Sequence, residues 1–233
     1  MIDRNEEEIF NLKMPRLKSG LFYFDREIKI NSDDSYLIGV DEAGRGPLAG
    51  PVVACAAYIP ENISQSWELG EVNDSKKLTA KKRHSLFKKM ISLGIRFGFG
   101  YSLPEEIDRV NILNATFLAM KKSIIRLLNY LKISQDRALI LVDGPHIIKG
   151  LNLKQKAIVD GDAKSLSIAC ASVFAKVIRD NWMNVIDLQY PGYHFSKHKG
   201  YGTSLHFQKI KEYGASPVHR KSFGPIKKII CAQ

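Results

Sequence analysis

The chain is 233 residues long, 45% of them apolar, and carries a formal net charge of +11. That size and apolar share suffice for a core of one or two domains, and the basic balance points to a polyanionic partner that releases counterions on binding. The charge could instead serve solubility or an anionic membrane surface. No apolar span approaches the ~20 residues of a membrane-crossing helix, and nucleic acid rather than a membrane is the expected partner.

The opening stretch, MIDRNEEEIF, is acidic and lacks the cationic start and apolar run of a secretory signal. Cys55, Cys170 and Cys231 are odd in number, far apart and form no C-x-x-C, which fits reduced thiols in a cytoplasmic protein. Cys55 and Cys170 sit among apolar residues and read as small core side chains. Residues 1–35 mix acids, bases and a short apolar patch, and read as an N-terminal arm or short helix packed on the domain formed by residues 36–233.

Residues 36–53, YLIGVDEAGRGPLAGPVV, organise the rest. Leu37, Ile38 and Val40 predict a buried strand, which delivers Asp41 and Glu42 and breaks into Gly44-Arg45-Gly46-Pro47 before a second apolar run. Acids at the end of a buried strand need a metal or a positive partner to offset their desolvation. Glycines let a backbone approach a ligand closely, and the Arg45 fork suits phosphate. The stretch has neither Gly-Lys-Ser/Thr nor G-x-G-x-x-G, so it is no nucleotide-binding P-loop or dinucleotide fingerprint. A plain hairpin connection with exposed acids is the alternative.

Thr79 is placed to cap a helix from Ala80 to Ser92, whose lysines read as a solvated face, while Lys76 and Lys77 in the preceding loop suit phosphate contacts. Residues 95–103 alternate like a strand whose glycines imply a close neighbour. Leu113, Phe117, Met120, Ile124, Leu127 and Leu131 predict a core-packing helix over 112–131. ALILV at 138–142 repeats the pattern of a buried strand ending in an acid, Asp143. Ala157-Ile158-Val159 leads to Asp160-Gly161-Asp162, and a helix from Ser165 to Leu188 opens with the small residues Ala169, Ala171, Ser172 and Ala175. Residues 190–205 hold a basic-aromatic loop with Lys197, His198, Lys199 and Tyr201, and Gly202-Thr203 opens a last long helix. This order indicates an α/β layer fold around one sheet.

Strand ends in such folds gather at one crevice. Carboxylates converging there would repel one another unless cations lay between them, and hard oxygen ligands select Mg²⁺ or Mn²⁺. Two such ions about 3.5–4 Å apart suit an in-line phosphoryl displacement. One geometric objection arises: successive residues of a strand face opposite ways. Strand pairing must therefore loosen at Glu42, or one of the two acids serves from an outer shell or through its backbone.

These residues carry a resemblance. The chain resembles the ribonuclease HII family, the bacterial type 2 ribonucleases H, through GVDEAGRGPLAGPV at 39–52, NDSKKL at 73–78, EEIDRVNIL at 105–113 and LVDG at 141–144. GDAKSLSIACAS and AKVIRD within 161–180, HKGYGT at 198–203 and HRKSFGP at 219–225 follow in the family's order. The resemblance implies a ribonuclease-H-like mixed β-sheet flanked by helices, with a helical C-terminal part. It implies an endoribonuclease acting on RNA–DNA hybrids and on ribonucleotides within duplex DNA, cutting 5′ to the ribonucleotide to leave 5′-phosphate and 3′-hydroxyl ends. It assigns Asp41, Glu42, Asp143 and Asp162 as metal-binding catalytic carboxylates, Gly44-Arg45-Gly46 as the sensor of the 2′-hydroxyl, and Tyr201 as the residue packing on the adjoining deoxyribose. His198 and Lys199 are candidate phosphate contacts, a structural histidine being the alternative. The chain departs from the family at Asp160, where lysine is usual, so Asp160 could crowd the site or act as a spare ligand. Against the enzyme stand a basic nucleic-acid-binding module without turnover and a carboxylate nuclease of DNA alone. A monomer is expected.

Overall fold

The computed structural model describes residues 20–32, 34–64, 69, 72 and 78–231. A five-stranded mixed sheet forms its centre, in the order β3–β2–β1–β4–β5, with β1 Tyr36–Ala43, β2 Val52–Tyr58, β3 Arg96–Ser102, β4 Ala138–Asp143 and β5 Lys154–Ile158. The first three strands form an antiparallel meander, while β4 and β5 run parallel to β1. This is the α/β mixed sheet flanked by helices expected from the sequence. The exception is β5, an edge strand whose residues alternate between exposed and covered instead of being uniformly buried. Among the described residues it ends the sheet, and Lys154 and Lys156 on one of its faces are exposed while Gln155 and Ala157 on the other are partly covered.

The helices are α1 Gly20–Ile30, α2 Ala80–Ser92, α3 Pro104–Val110, α4 Ile112–Leu131, α5 Leu166–Gln189, α6 Ser204–Tyr213 and α7 Gly224–Cys231, with short helical turns between them. Ile38 and Val40 on β1 join Ile140 and Val142 on β4 against Phe117, Met120, Ile124 and Leu127 of α4, which form one core. Gly98 and Gly100 of β3 allow this contact, because a Cβ on either would lie within 2.3 Å of an α4 backbone carbonyl oxygen. The opposite face of the sheet packs on α5 and α2, with Cys55 and Cys170 buried inside as small apolar residues. Thr79 caps α2 by accepting the Lys82 N–H at 3.3 Å. Within the arm expected over 1–35, α1 packs through Phe22 onto this second core, and its Asp25 Oδ2 accepts the Ser167 N–H at 2.8 Å, capping α5. The arm's first nineteen residues lie outside the described residues, as do Lys76 and Lys77.

A third apolar cluster joins the C-terminal part to the end of α5: Met183 and Ile186 meet Tyr193, Phe195, Ile210 and Ile226, together with Leu48 and Ala49. The 44–51 loop after β1 is thus clamped between the sheet and the C-terminal helices. No helix among the described residues is long and apolar enough to cross a membrane.

Candidate active site

Asp41 and Glu42 lie in the last half of β1, and the sheet opens beside them. Pairing with β2 continues regularly through Asp41↔Cys55, Glu42↔Ala54 and Ala43↔Val53, so the loosening expected at Glu42 does not occur on that side. The ladder to β4 instead stops at Val40↔Val142, one residue before Asp41 and Asp143. A gap between β1 and β4 therefore begins where both strands present their acids. Asp41 and Asp143 share the α5 face with Gly39 and Leu141, while Glu42 points the other way and borders the gap. A long glutamate side chain at an opened seam can be approached from either face, which answers the alternation objection without distorting the strand.

The approach of α5 to this point is set by Gly39. A Cβ there would lie 2.1 Å from the Ser167 carbonyl carbon and 2.3 Å from the Ile168 nitrogen, so helix backbone rests directly on the strand. One turn further on, the Ser172 hydroxyl hydrogen-bonds the Asp41 carboxylate, whose Oδ1 also accepts the Glu42 N–H at 2.7 Å. Burial pushes the Asp41 carboxyl well above the usual carboxylate range, and the negative charges of Glu42 and Asp143 push it the same way; the two hydrogen bonds oppose them. Glu42 and Asp143 thus both stand within electrostatic reach of Asp41.

Asp143 Oδ1 accepts the Gly161 N–H at 2.7 Å. This bond seats the turn Gly161–Ala163, and with it buried Asp162, beside the end of β4. Asp160 precedes this turn in a left-handed conformation, φ 55°, and is exposed. Neither Asp160 nor Asp162 lies in a strand, so they do not share a strand face; the turn directs one to solvent and buries the other. Among the described residues, no three His, Cys, Asp or Glu side chains are gathered tightly enough to enclose an ion by themselves. The donor chemistry is nonetheless all carboxylate oxygen, and an added positive charge would offset the burial and the neighbouring negative charges that raise Asp41.

The loop after β1 is held from beneath by two buried arginines that sequence reasoning missed. Arg220 donates to the carbonyls of Gly50 (Nε 3.0 Å, Nη2 2.9 Å), Arg45 (Nη1 2.9 Å) and Gly44 (Nη2 2.6 Å). Arg179 donates to Pro51 (3.0 Å), Ala49 (3.3 Å) and Lys199 (3.1 Å). Gly44 has φ +99° and a Cβ on it would meet the Arg179 Nε at 2.0 Å, so both conformation and space require glycine. A trans peptide points its C=O and N–H in opposite directions. With the Gly44 and Arg45 carbonyls turned inward to Arg220, the N–H groups of Arg45 and Gly46 face away from it. Asp108 on α3 fixes the segment that carries Arg220 by accepting the N–H groups of Lys221 (2.9 Å) and Ser222 (2.8 Å). A signal for Arg179 exists in the sequence: Ser172, Ala175, Arg179 and Met183 recur on one stripe of α5, and a cation on a buried stripe needs polar partners.

The remaining site residues divide. Tyr201 is 45% exposed, with its ring edge 3.8 Å from where a Cβ on Gly46 would stand, so the aromatic ring does join the glycine loop. Arg45 is half exposed and its Nη1 lies 3.6 Å from Glu42 Oε1. His198 is buried: its Nδ1 accepts the Gly200 N–H at 3.2 Å and its Nε2 meets the Tyr193 carbonyl at 2.8 Å. No ring nitrogen is left for the phosphate contact expected of it, and the structural alternative holds. Lys199 is half buried; its ammonium binds Asn184 Oδ1 and the Asp180 carbonyl, and burial lowers its pKa.

A mixed sheet with carboxylates at a seam between parallel strands, roofed by a long helix, defines the class of ribonuclease-H-type nucleases. The ribonuclease HII family model matches residues 38–225. Ribonuclease HII of Fusobacterium nucleatum is 50% identical over 215 residues, covering 92% of this chain and 94% of that protein. The enzyme of Endomicrobium trichonymphae is 44% identical over 212 residues, 91% and 96% of the two chains. Among solved structures, ribonuclease H2 of Pyrococcus horikoshii superposes with a TM-score of 0.64 at 29% identity, over 83% of this chain and 96% of that one. Bst-RNase HIII in complex with Mn²⁺ shares the fold, with a TM-score of 0.66 at 16% identity over 84% and 70%. The chain belongs to the ribonuclease HII family, and is a hydrolytic endoribonuclease of the ribonuclease H type.

Proposed function

We propose that the enzyme hydrolyses the RNA strand of RNA–DNA hybrids and cuts 5′ to ribonucleotides embedded in duplex DNA, leaving 5′-phosphate and 3′-hydroxyl ends. The observation that carries this reading is the buried Asp41 carboxylate, flanked by Glu42 and Asp143 where the β1–β4 ladder ends. Two divalent ions, Mg²⁺ or Mn²⁺, held by Asp41, Glu42, Asp143 and Asp162, would supply Lewis acidity for the attacking water and neutralise the phosphate. Mn²⁺ is present in the Bst-RNase HIII complex, which shares the fold.

The protein's own part is positioning. Ser172 and the Glu42 N–H orient Asp41, and Gly161 orients Asp143. The outward N–H groups of Arg45 and Gly46 offer hydrogen bonds to a ribose 2′-hydroxyl, the group that separates RNA from DNA at one nucleotide. Tyr201 stands beside them to pack on the neighbouring deoxyribose, and Arg45 and Lys199 carry charge toward the phosphate chain. Lys76 and Lys77 are proposed as further phosphate contacts.

Cleavage mapping tests the reading on duplexes containing no ribonucleotide, one, or a run of them, with and without divalent ion. A cut 5′ to the single ribonucleotide, dependent on the ion, is expected. Asp143→Asn should lower cleavage by at least about a hundredfold while hybrid binding stays measurable. Equal cutting of the all-DNA duplex, or ion-independent turnover, would overturn the proposal.

A further inference from the structure

We infer that His219 and His206 form a relay of neutral imidazoles that positions Tyr201 for its sugar contact. The inference rests on the reading of Tyr201 as a substrate-packing residue and adds the residues that hold it there.

The tautomers follow from the hydrogen bonds. A backbone N–H always carries its hydrogen, and Ser216 N–H points at His219 Nδ1 from 2.9 Å, so that nitrogen is bare and the His219 proton sits on Nε2. His219 Nε2 lies 3.0 Å from His206 Nε2. Two ring nitrogens bond only when one carries a hydrogen and the other does not, so His206 Nε2 accepts and its own proton sits on Nδ1. That nitrogen lies 2.9 Å from the Tyr201 carbonyl oxygen. The chain of donors therefore runs in one direction, from Ser216 through His219 and His206 to Tyr201.

The surroundings keep the rings neutral and fixed. Both histidines are fully buried, and burial pushes each down to about 4. His198 stacks on His206 at 4.2 Å and 20°, and Phe195 packs edge-on against both. Apolar residues could fill this space at lower desolvation cost, so polar rings here require a directional role. Their target is defined at both ends. The Tyr201 N–H donates to the His198 carbonyl at 2.9 Å, the neighbouring Gly200 carbonyl accepts the Leu48 N–H at 2.8 Å, and His219 bridges to Ala49. The relay thus connects the loop bearing Gly44, Arg45 and Gly46 to the carbonyl of the residue whose ring faces it. Because His206 and His219 reach the substrate only through Tyr201, they are positioning residues.

The test uses steady-state cleavage of a duplex with a single ribonucleotide. An asparagine amide can occupy the place of the Nδ1 donor, whereas a glutamine amide reaches the place of Nε2. We expect His206→Asn, which keeps the donor to the Tyr201 carbonyl but not the acceptor for His219, to lose less than His206→Gln, which should lose about tenfold in kcat/KM. The His206→Gln loss should disappear on a Tyr201→Ala background. Equal losses for the two His206 variants, or an undiminished His206→Gln effect in the double variant, would overturn the relay. Impaired Tyr201→Ala with wild-type His206→Gln would overturn the relay alone, whereas unimpaired Tyr201→Ala would overturn the reading of Tyr201 and the relay with it. If the variants do not fold, ¹⁵N spectra of the wild-type enzyme decide. Protons on His219 Nε2 and His206 Nδ1 support the relay, and any other tautomer pair refutes it.

Discussion

Replacing Arg220 should separate what the 44–51 loop contributes to stability from what it contributes to catalysis. Its guanidinium is fully buried and makes four hydrogen bonds to the carbonyls of Gly44, Arg45 and Gly50. A hydrogen bond involving a charged group contributes roughly 1.5–3 kcal/mol net, but removing the arginine also removes the cost of burying its charge. For Arg220→Met the balance is a loss of about 3–5 kcal/mol, since three inward carbonyls are left without their donor. At about 2–4 °C per kcal/mol for a chain of this size, the melting temperature should fall by roughly 6–20 °C. Arg220→Lys retains the charge but cannot fork across Gly44, Arg45 and Gly50 at once, so about half the loss is expected. Urea unfolding gives the stability, and cleavage of the single-ribonucleotide duplex gives the function. The lysine variant, folded under assay conditions, should cut at least about tenfold more slowly because the Arg45 and Gly46 N–H groups lose their fixed direction. A stability loss for Arg220→Met below about 1 kcal/mol, or wild-type cleavage by Arg220→Lys, would refute the reasoning.

Gly39→Ala puts a methyl group within 2.3 Å of α5 backbone atoms that cannot step aside. It should cost at least about 2 kcal/mol in urea unfolding, and a cost under about 1 kcal/mol would contradict the direct strand–helix contact. Asp162→Ala should lower cleavage by about a hundredfold or more, whereas Asp160→Ala, altering an exposed side chain, should stay within about threefold of wild type. The reverse ranking would show that the turn had been read the wrong way round. His206 and His219 are depressed to about 4 from an ordinary 6.5, so the unfolded chain binds more protons between those values and their contribution to stability is lost as pH falls from 6.5 to 4. Asp25, raised to about 6 by burial, acts in the opposite direction, so the comparison must be with a His206→Asn/His219→Gln variant. Between pH 7 and 5 each histidine contributes about 2 kcal/mol to that loss, so the wild type should lose roughly 3–4 kcal/mol more than that variant.

The strands and long helices were legible because their burial is written as uninterrupted or periodic apolar runs. The run ALILV becomes β4, and the repeat from Leu113 to Leu131 becomes α4. The edge strand β5 was harder, since Lys154, Gln155 and Lys156 give no apolar run and only its neighbour β4 makes it a strand. Among the site residues, Asp41, Glu42 and Asp143 announce themselves as acids closing buried runs, while the choice between Asp160 and Asp162 turns on a left-handed residue that no local pattern dictates. The expectation that pairing loosens at Glu42 named no neighbouring strand; the ladder that ends is the one to β4, after Val40, while the one to β2 continues. A sequence can show that two acids in one strand conflict, but it does not show which adjacent ladder gives way.

The buried arginines were illegible for a different reason. A basic chain offers many arginines, and the default for each is solvent or phosphate. What distinguishes Arg179 and Arg220 is that their partners are backbone carbonyls, most of them more than a hundred residues away, at Ala49 and Pro51 and at Gly44 to Gly50. Backbone acceptors leave no mark in a sequence, because every residue has one. The same fact explains why the loop needs cations at all. Inward carbonyls require donors in a space that excludes water, and each carbonyl turned inward sends the N–H of its peptide outward. The interior charge is therefore spent on orientation, and the direction it imposes is the one that the proposed contact with a ribose hydroxyl would use.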